Sequence, residues 1–187
     1  ASPLVRNRAT LGGNVGNASP IGDAPPILLS LEAELRLASA RGTRRLPISE
    51  FFRGYRETAL EPGEVIVSIL LPSAVPTLSR FYKVSKRVLD DISTVAAAFA
   101  LHLDTEGRIE RARLAYGGVA ATPKRAMEAE AALIGLPWGV EAVDAARPLL
   151  EAAFQPLDDH RGSAAYRKEM VVRLFEKFES ETREGGR

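Results

Sequence analysis

The sequence predicts an α+β fold: short antiparallel strands in two regions, with helices gathered toward the C-terminus. Three observations carry this. Residues 1–72 are rich in Gly, Pro and Asn and hold short strand-like runs. Val95–Leu103 and Ile109–Tyr116 alternate on either side of Asp104-Thr105-Glu106-Gly107, which is the pattern of an antiparallel hairpin. Beyond Thr122, apolar residues recur at helical spacing. The chain has 187 residues, 45% of them apolar, enough to bury a core without disulfide or metal staples.

In order, Leu11-Gly12-Gly13-Asn14-Val15-Gly16-Asn17 reads as a loop with several positive-φ positions, because Gly and Asn tolerate that backbone. Asp23 is placed to cap a short helix, with Pro25 and Pro26 in its first turn and Ile27, Leu28 and Leu31 on its apolar face. Leu35-Arg36-Leu37 reads as a strand, and Ser49 as the cap of a turn through Phe51 and Phe52. Glu64–Leu71 is a strand with apolar residues on both faces, so both sides are expected to be covered. Pro72-Ser73-Ala74-Val75-Pro76 is a connector, followed by a charged loop. The expected division is 1–78 and 79–187.

In the second part, Ala112, Leu114 and Tyr116 point inward and Arg111 and Arg113 outward. Thr122 and Pro123 form an N-cap and N1 pair for a helix that stops at Gly135. Val140–Phe154 is helical, and Pro148 should kink or divide it. A last helix starts near Ser163, with Val171, Leu174, Phe175 and Phe178 on one face. The polar tail Glu179–Arg187 is expected to fray.

Charge and composition narrow the function. Net charge is +1, which gives no electrostatic case for nucleic acid or an anionic membrane. Cysteine is absent, so these residues supply no disulfide, thiolate zinc site, cysteine nucleophile or cysteine-ligated iron–sulfur cluster. No apolar run approaches the roughly 18 residues that span a bilayer, and no signal peptide is present, so a cytoplasmic location is expected. The absent initial Met fits a piece of a longer polypeptide. His102 reads as an exposed strand residue and His160 as a loop residue, and no carboxylate stands at ligand spacing from either, so no metal site is expected. No Gly-x-Ser-x-Gly turn is present to expose a serine nucleophile.

Three constellations hold candidate chemistry. Thr10-Leu11-Gly12-Gly13-Asn14, continued through Asn17 to Asp23, offers backbone N–H groups, a hydroxyl, two amides and a fixed acceptor. That set suits a phosphate or pyrophosphate with a ribose nearby, or else a plain structural turn. Phe81-Tyr82-Lys83 through Asp90-Asp91-Ile92-Ser93 offers rings for stacking and a cation for negative charge, or else a solvated charged loop. Arg161-Gly162-Ser163-Ala164-Ala165-Tyr166-Arg167 either holds a partner subunit or decorates a helix start.

Taken together and in order, five stretches resemble the small, FAD-binding subunit of bacterial xanthine dehydrogenases, in the molybdenum hydroxylase family. They are Arg6–Asp23, Phe51–Thr58, Glu64-Val65-Ile66, Lys83–Ser93 and Arg161–Arg167. The resemblance implies the second lobe of a vanillyl-alcohol-oxidase-type FAD-binding domain, followed by a small antiparallel sheet with helices. It implies that Thr10, Gly12, Gly13 and Asn14 contact the FAD pyrophosphate and that Asn17 and Asp23 are polar FAD contacts. It places Ile66 against the isoalloxazine, Lys83 on the flavin, and Asp90 in a loop that borders the ring and governs NAD+ access. It implies a molybdenum-binding large subunit as partner. Iron–sulfur clusters and a first FAD lobe are expected on other segments, since neither cysteine nor a second Gly-rich phosphate loop occurs here. Electrons would pass from the clusters to FAD and leave as hydride to NAD+. The alternative is a non-catalytic docking module that binds no flavin by itself.

Overall fold

In the computed structural model, residues 3–87 and 91–183 are described. The fold is built around an alanine-rich strand, β7 (Val95–Leu103), buried on both faces over most of its length. It lies between β6 (Leu78–Val84) and β8 (Ile109–Gly117), and β9 (Lys124–Arg125) completes an antiparallel sheet of order β6-β7-β8-β9. One face of β7 carries Val95, Ala97, Phe99 and Leu101 into a core closed by α4 (Met127–Leu133), α5 (Val140–Ala152) and α6 (Ala164–Arg183). There the Phe99 ring meets Tyr116, Phe175 and Phe178 at centroid distances of 5.3–5.7 Å, the range of attractive aromatic pairs. The other face carries Ala96, Ala98 and Ala100, all buried. Their small side chains leave room for α3 (Ala24–Ser30), which packs on β7 and β8.

The N-terminal part contributes α1 (Pro3–Arg6), α2 (Leu11–Gly16) and a second antiparallel sheet. Its strands are β1 (Glu34–Ser39), β2 (Gly42–Pro47) and β5 (Val65–Leu70), in the order β2-β1-β5. A 3-10 turn at Ile48–Glu50 leads into the ribbon of β3 (Phe52–Gly54) and β4 (Glu57–Thr58). Leu35 and Leu37 of β1, Leu28 and Leu29 of α3, Phe51 and Ala115 of β8 share one buried cluster, so the two sheets are joined through α3. At Gly117 a Cβ atom would meet Pro26 Cγ at 3.2 Å and the Pro20 carbonyl at 3.3 Å, so that junction has little room for a side chain. Among the described residues no helix is long and apolar enough to cross a membrane.

The α+β class, the β7–β8 hairpin and the inward Ala112, Leu114 and Tyr116 are as expected. Several elements differ. Residues 11–16 form a helix, and within 11–18 only Ala18 has positive φ, because the Thr10 side chain caps the first turn and Val15 is buried. The turn expected from Ser49 begins at Ile48, with Pro47 at the N-cap position and no side-chain cap bond. On β5, Val65 and Val67 are 60% and 53% exposed, so within this chain one face of the strand stays open. The expected charged loop after Pro76 is the edge strand β6. Thr122 caps nothing, because Lys124 and Arg125 add β9 and α4 starts only at Met127. Pro148 does not divide α5. Of the tail expected to fray, residues 179–183 are helix, where Thr182 is buried and accepts a bond from Trp138 Nε1 at 3.0 Å, and residues 184–187 lie outside the described residues.

Candidate functional site

A cleft of about 540 Å³ opens where the segment joining α2 to α3 meets the end of β6 and the approach to β7. Asn14, Asn17, Asp23, Lys83, Ser93 and Arg161 are among the residues that line it. Strand alternation aims Lys83. Its neighbour Tyr82 enters the helix-side core, so Lys83 takes the opposite face of β6, toward α3. There its Nζ donates to Asp23 Oδ2 at 2.7 Å. Ser93 Oγ donates to Asp23 Oδ1 at 2.5 Å.

Asp23 does not cap α3 as expected. Its backbone is already helical, at φ −77 and ψ −32, and its carboxylate turns to Lys83 and Ser93 instead. Asn14 takes the free donor, and its Oδ1 accepts from the Ala24 N–H at 3.3 Å. One of the two cleft amides therefore has a structural duty. Asn17 is the C-cap of α2 and lines the cleft.

Of the other expected site residues, Thr10, Gly12, Gly13 and Ile66 are not among those lining the cleft. Thr10 Oγ1 accepts from the Gly13 N–H at 2.9 Å, and a Cβ at Gly13 would meet that oxygen at 2.8 Å. A Cβ at Gly12 would meet nothing within 4 Å, so that backbone is open to close approach. Ile66 is half-buried beside Gly16, on the inner side of β5. Asp90 lies outside the described residues. His102 borders a separate recess of about 260 Å³ with Arg111 and Arg113, where burial and then the Arg111 charge push its pKa down. Among the described residues no three His, Cys, Asp or Glu side chains gather to hold a metal ion.

The cleft also takes residues to which the sequence assigned no flavin role. Tyr55 and Arg56 come from the β3–β4 turn, where Arg56 has φ 55 and its guanidinium carbon lies 5.9 Å from the Tyr55 ring centroid. Ser93 stood in a motif string without an individual assignment, and Arg161 was expected to hold a partner subunit or decorate a helix start rather than to line a cleft. Arg167 neither holds a partner nor decorates the helix surface. It is buried, and its guanidinium donates to the carbonyls of Thr94 at 2.7 Å and Gly118 at 2.8 Å and to Asp159 Oδ1 at 2.6 Å. Those bonds fix the start of β7 beside Ser93. Asp91 secures the other side by accepting from the Arg87 and Ile92 N–H groups at 2.8 and 2.9 Å. Burial works against the Asp91 charge, yet these bonds hold its carboxyl below the usual range.

Comparison with known proteins places this geometry. Residues 1–74 match the family described as FAD binding domain in molybdopterin dehydrogenase. Residues 80–182 match the family described as CO dehydrogenase flavoprotein C-terminal domain. The chain is 38% identical to the glyceraldehyde dehydrogenase medium chain of Sulfolobus acidocaldarius, over 89% of this chain and 59% of that protein. It is 38% identical to a xanthine dehydrogenase of Blastobotrys adeninivorans, over 96% of this chain and 13% of that protein. A solved carbon monoxide dehydrogenase chain from Hydrogenophaga pseudoflava superposes with a TM-score of 0.88 at 34% identity, over 95% of this chain and 61% of that one. The chain thus spans less than two thirds of each of these relatives. Matched along nearly its whole length by the flavin-binding and flavoprotein C-terminal patterns, the chain belongs to the FAD-binding branch of the molybdenum hydroxylase family.

Proposed function

We propose that the cleft is this chain's share of an FAD site, within an oxidoreductase of the xanthine dehydrogenase type. The observation that carries the reading is the convergence of Lys83, Asp23, Asn17 and Arg161 on one cleft, inside a chain of the FAD-binding family. The donor set fits the cofactor. Lys83 and Arg161 supply positive charge for an electron-rich ring or a phosphate, and Asn14 and Asn17 supply amides. Gly12 leaves its backbone open to a pyrophosphate, with Thr10 and Gly13 building the turn around it. Ile66 is proposed as the apolar contact, and Asp90 as a residue of the loop beside the ring. The division into residues 1–78 and 79–187 is part of the same reading.

When bound, FAD supplies two-electron uptake and hydride transfer. The chain's own residues position it and set the local field. A fixed ammonium beside a ring that gains negative charge stabilises the reduced form, and partial exclusion of water strengthens the effect. Asp23 holds Lys83 to one place at the cleft wall. The 187 residues contain no cysteine, so thiolate-held clusters that feed the flavin belong to other segments or subunits, as does the molybdenum centre. The proposed partners are the molybdenum-binding large subunit, the iron–sulfur segments and a first FAD lobe, with NAD+ as acceptor and a purine as substrate.

The test is to purify the assembled enzyme, record its visible spectrum, identify the released cofactor and follow reduction by xanthine with NAD+ present. Flavin absorbance, release of FAD and formation of NADH are expected. An assembly that releases no flavin on denaturation overturns the flavin reading, whatever colour its iron–sulfur clusters give it. Flavin that is reduced but passes no electrons to NAD+ overturns the acceptor alone.

A further inference from the structure

We infer that Ser93 is a positioning residue for the cleft. Acting through Asp23, it fixes where the Lys83 ammonium stands and so sets the charge presented to a bound anionic ring. The ring's identity rests on the flavin reading above; the chain of contacts does not.

Ser93 is 1% exposed. A buried hydroxyl is costly unless bonded, and it has one proton to give. That proton goes to Asp23 Oδ1 at 2.5 Å, and the other carboxylate oxygen accepts from Lys83 Nζ at 2.7 Å. Three parts of the chain thus meet at one carboxylate: the start of α3, the face of β6 and the residue leading into β7.

The order of anchoring runs from the interior outward. Around Ser93, the Thr94 N–H donates to the Val84 carbonyl at 2.7 Å and the Thr94 carbonyl accepts from buried Arg167 at 2.7 Å. Asp23 and Lys83 are far less buried, with side chains 37% and 32% exposed. A lysine on a flexible four-carbon stem at that exposure samples many rotamers unless something holds it. An exposed ion pair alone is a weak tether. A buried hydroxyl that locks the carboxylate turns the pair into a fixed one. Each Asp23 oxygen accepts one bond, from Lys83 or from Ser93, and keeps a lone pair for a further donor, so holding Lys83 leaves Asp23 able to accept from a bound cofactor as well.

The test uses the assembled enzyme with Ser93→Ala, Ser93→Thr, Lys83→Met and the double variant Ser93→Ala/Lys83→Met. The readouts are the flavin reduction potential and the FAD dissociation constant. Ser93→Ala should lower the potential in the same direction as Lys83→Met and raise the dissociation constant about tenfold, the scale of one charge-assisted hydrogen bond. Ser93→Thr, which keeps the hydroxyl, should restore both. In the Lys83→Met background, Ser93→Ala should change neither further. A wild-type potential in Ser93→Ala overturns the inference, and so does an equal shift with or without Lys83.

If the wild type holds no flavin, the flavin reading fails, and nuclear magnetic resonance of the Lys83 ammonium still decides the positioning role. Slow proton exchange in wild type that becomes fast in Ser93→Ala supports it. Equal exchange overturns it.

Discussion

Arg167 shows what a single side chain does when it is buried with its charge. It is 2% exposed, and its guanidinium ties the carbonyls of Thr94, Gly118 and Gly162 to the Asp159 carboxylate. Burial tends to raise the Asp159 pKa, but the Arg161 N–H and the Arg167 guanidinium bring it below the usual range. Gly118 sits at φ +81, where a Cβ would stand 2.4 Å from the Thr94 carbonyl oxygen. Removing the guanidinium leaves the Thr94 and Gly118 carbonyls without this buried donor, and Asp159 with only the Arg161 and Gly162 N–H groups. Arg167→Met should therefore cost about 1–3 kcal/mol in a urea unfolding titration, the scale for leaving buried acceptors unsatisfied. Loss of less than about 1 kcal/mol, the value of a surface pair, would show that the clamp is ornamental. None of this was readable in the sequence. In Arg161–Arg167 the second arginine looks like its neighbours, and only the fold reveals which one points inward. Lys83 and Asp23 were both readable as polar candidates, but their pairing across 60 residues was not.

At the scale of elements, side chains decided what propensity could not. Residues 11–16 carry three glycines, which argue against helix, yet a Thr10 cap and one buried Val15 are sufficient for a short turn of it inside a packed protein. β6 looked like a solvated loop because Ser79, Arg80, Phe81 and Lys83 face outward, but charges belong on an edge strand, where they discourage unwanted pairing. The hairpin was legible because its alternation and its Asp104–Gly107 turn agree with each other.

The first sheet has its own electrostatic latch. Arg44 of β2 bonds both oxygens of Glu64 at 2.7 and 2.8 Å and the Ala59 carbonyl at 2.8 Å, closing the loop that leads into β5. The Arg44 bond and then the Glu61 N–H hold the Glu64 carboxyl down to about 2, from an ordinary 4.5. A depressed folded-state pKa gives stability that is full above the ordinary carboxylate range and is lost as pH falls from about 4.5 through about 2. Glu64→Gln should flatten that part of the acid limb in urea midpoints measured against pH, with the remaining carboxylates unchanged. An identical acid limb in the variant would remove Glu64 from it.

For the whole molecule, α3 is the joint. It packs on the alanine face of β7 and shares a core with β1, so the two sheets are held together beside the cleft. That arrangement explains why the fold class was legible while the site was only partly so. Composition and alternation identify strands and helices, but the site is made where α2, α3, β6 and the segment before β7 converge. Resemblance gave Asn14, Asn17, Asp23 and Lys83 a flavin role, while Tyr55, Arg56, Ser93 and Arg161, which stand in the resembling stretches without one, line the cleft as well.

The most direct measurement is an equilibrium titration of FAD into the deflavinated assembled enzyme, with wild type, Lys83→Met and Arg41→Ala side by side. Arg41 is an exposed residue paired to Glu61 and lies outside the cleft. If the Lys83–Asp23 cleft holds the flavin, wild type and Arg41→Ala bind FAD with the same constant and Lys83→Met binds it about tenfold more weakly, the cost of one charged hydrogen bond. Equal binding by wild type and Lys83→Met, or no binding by wild type, would contradict it.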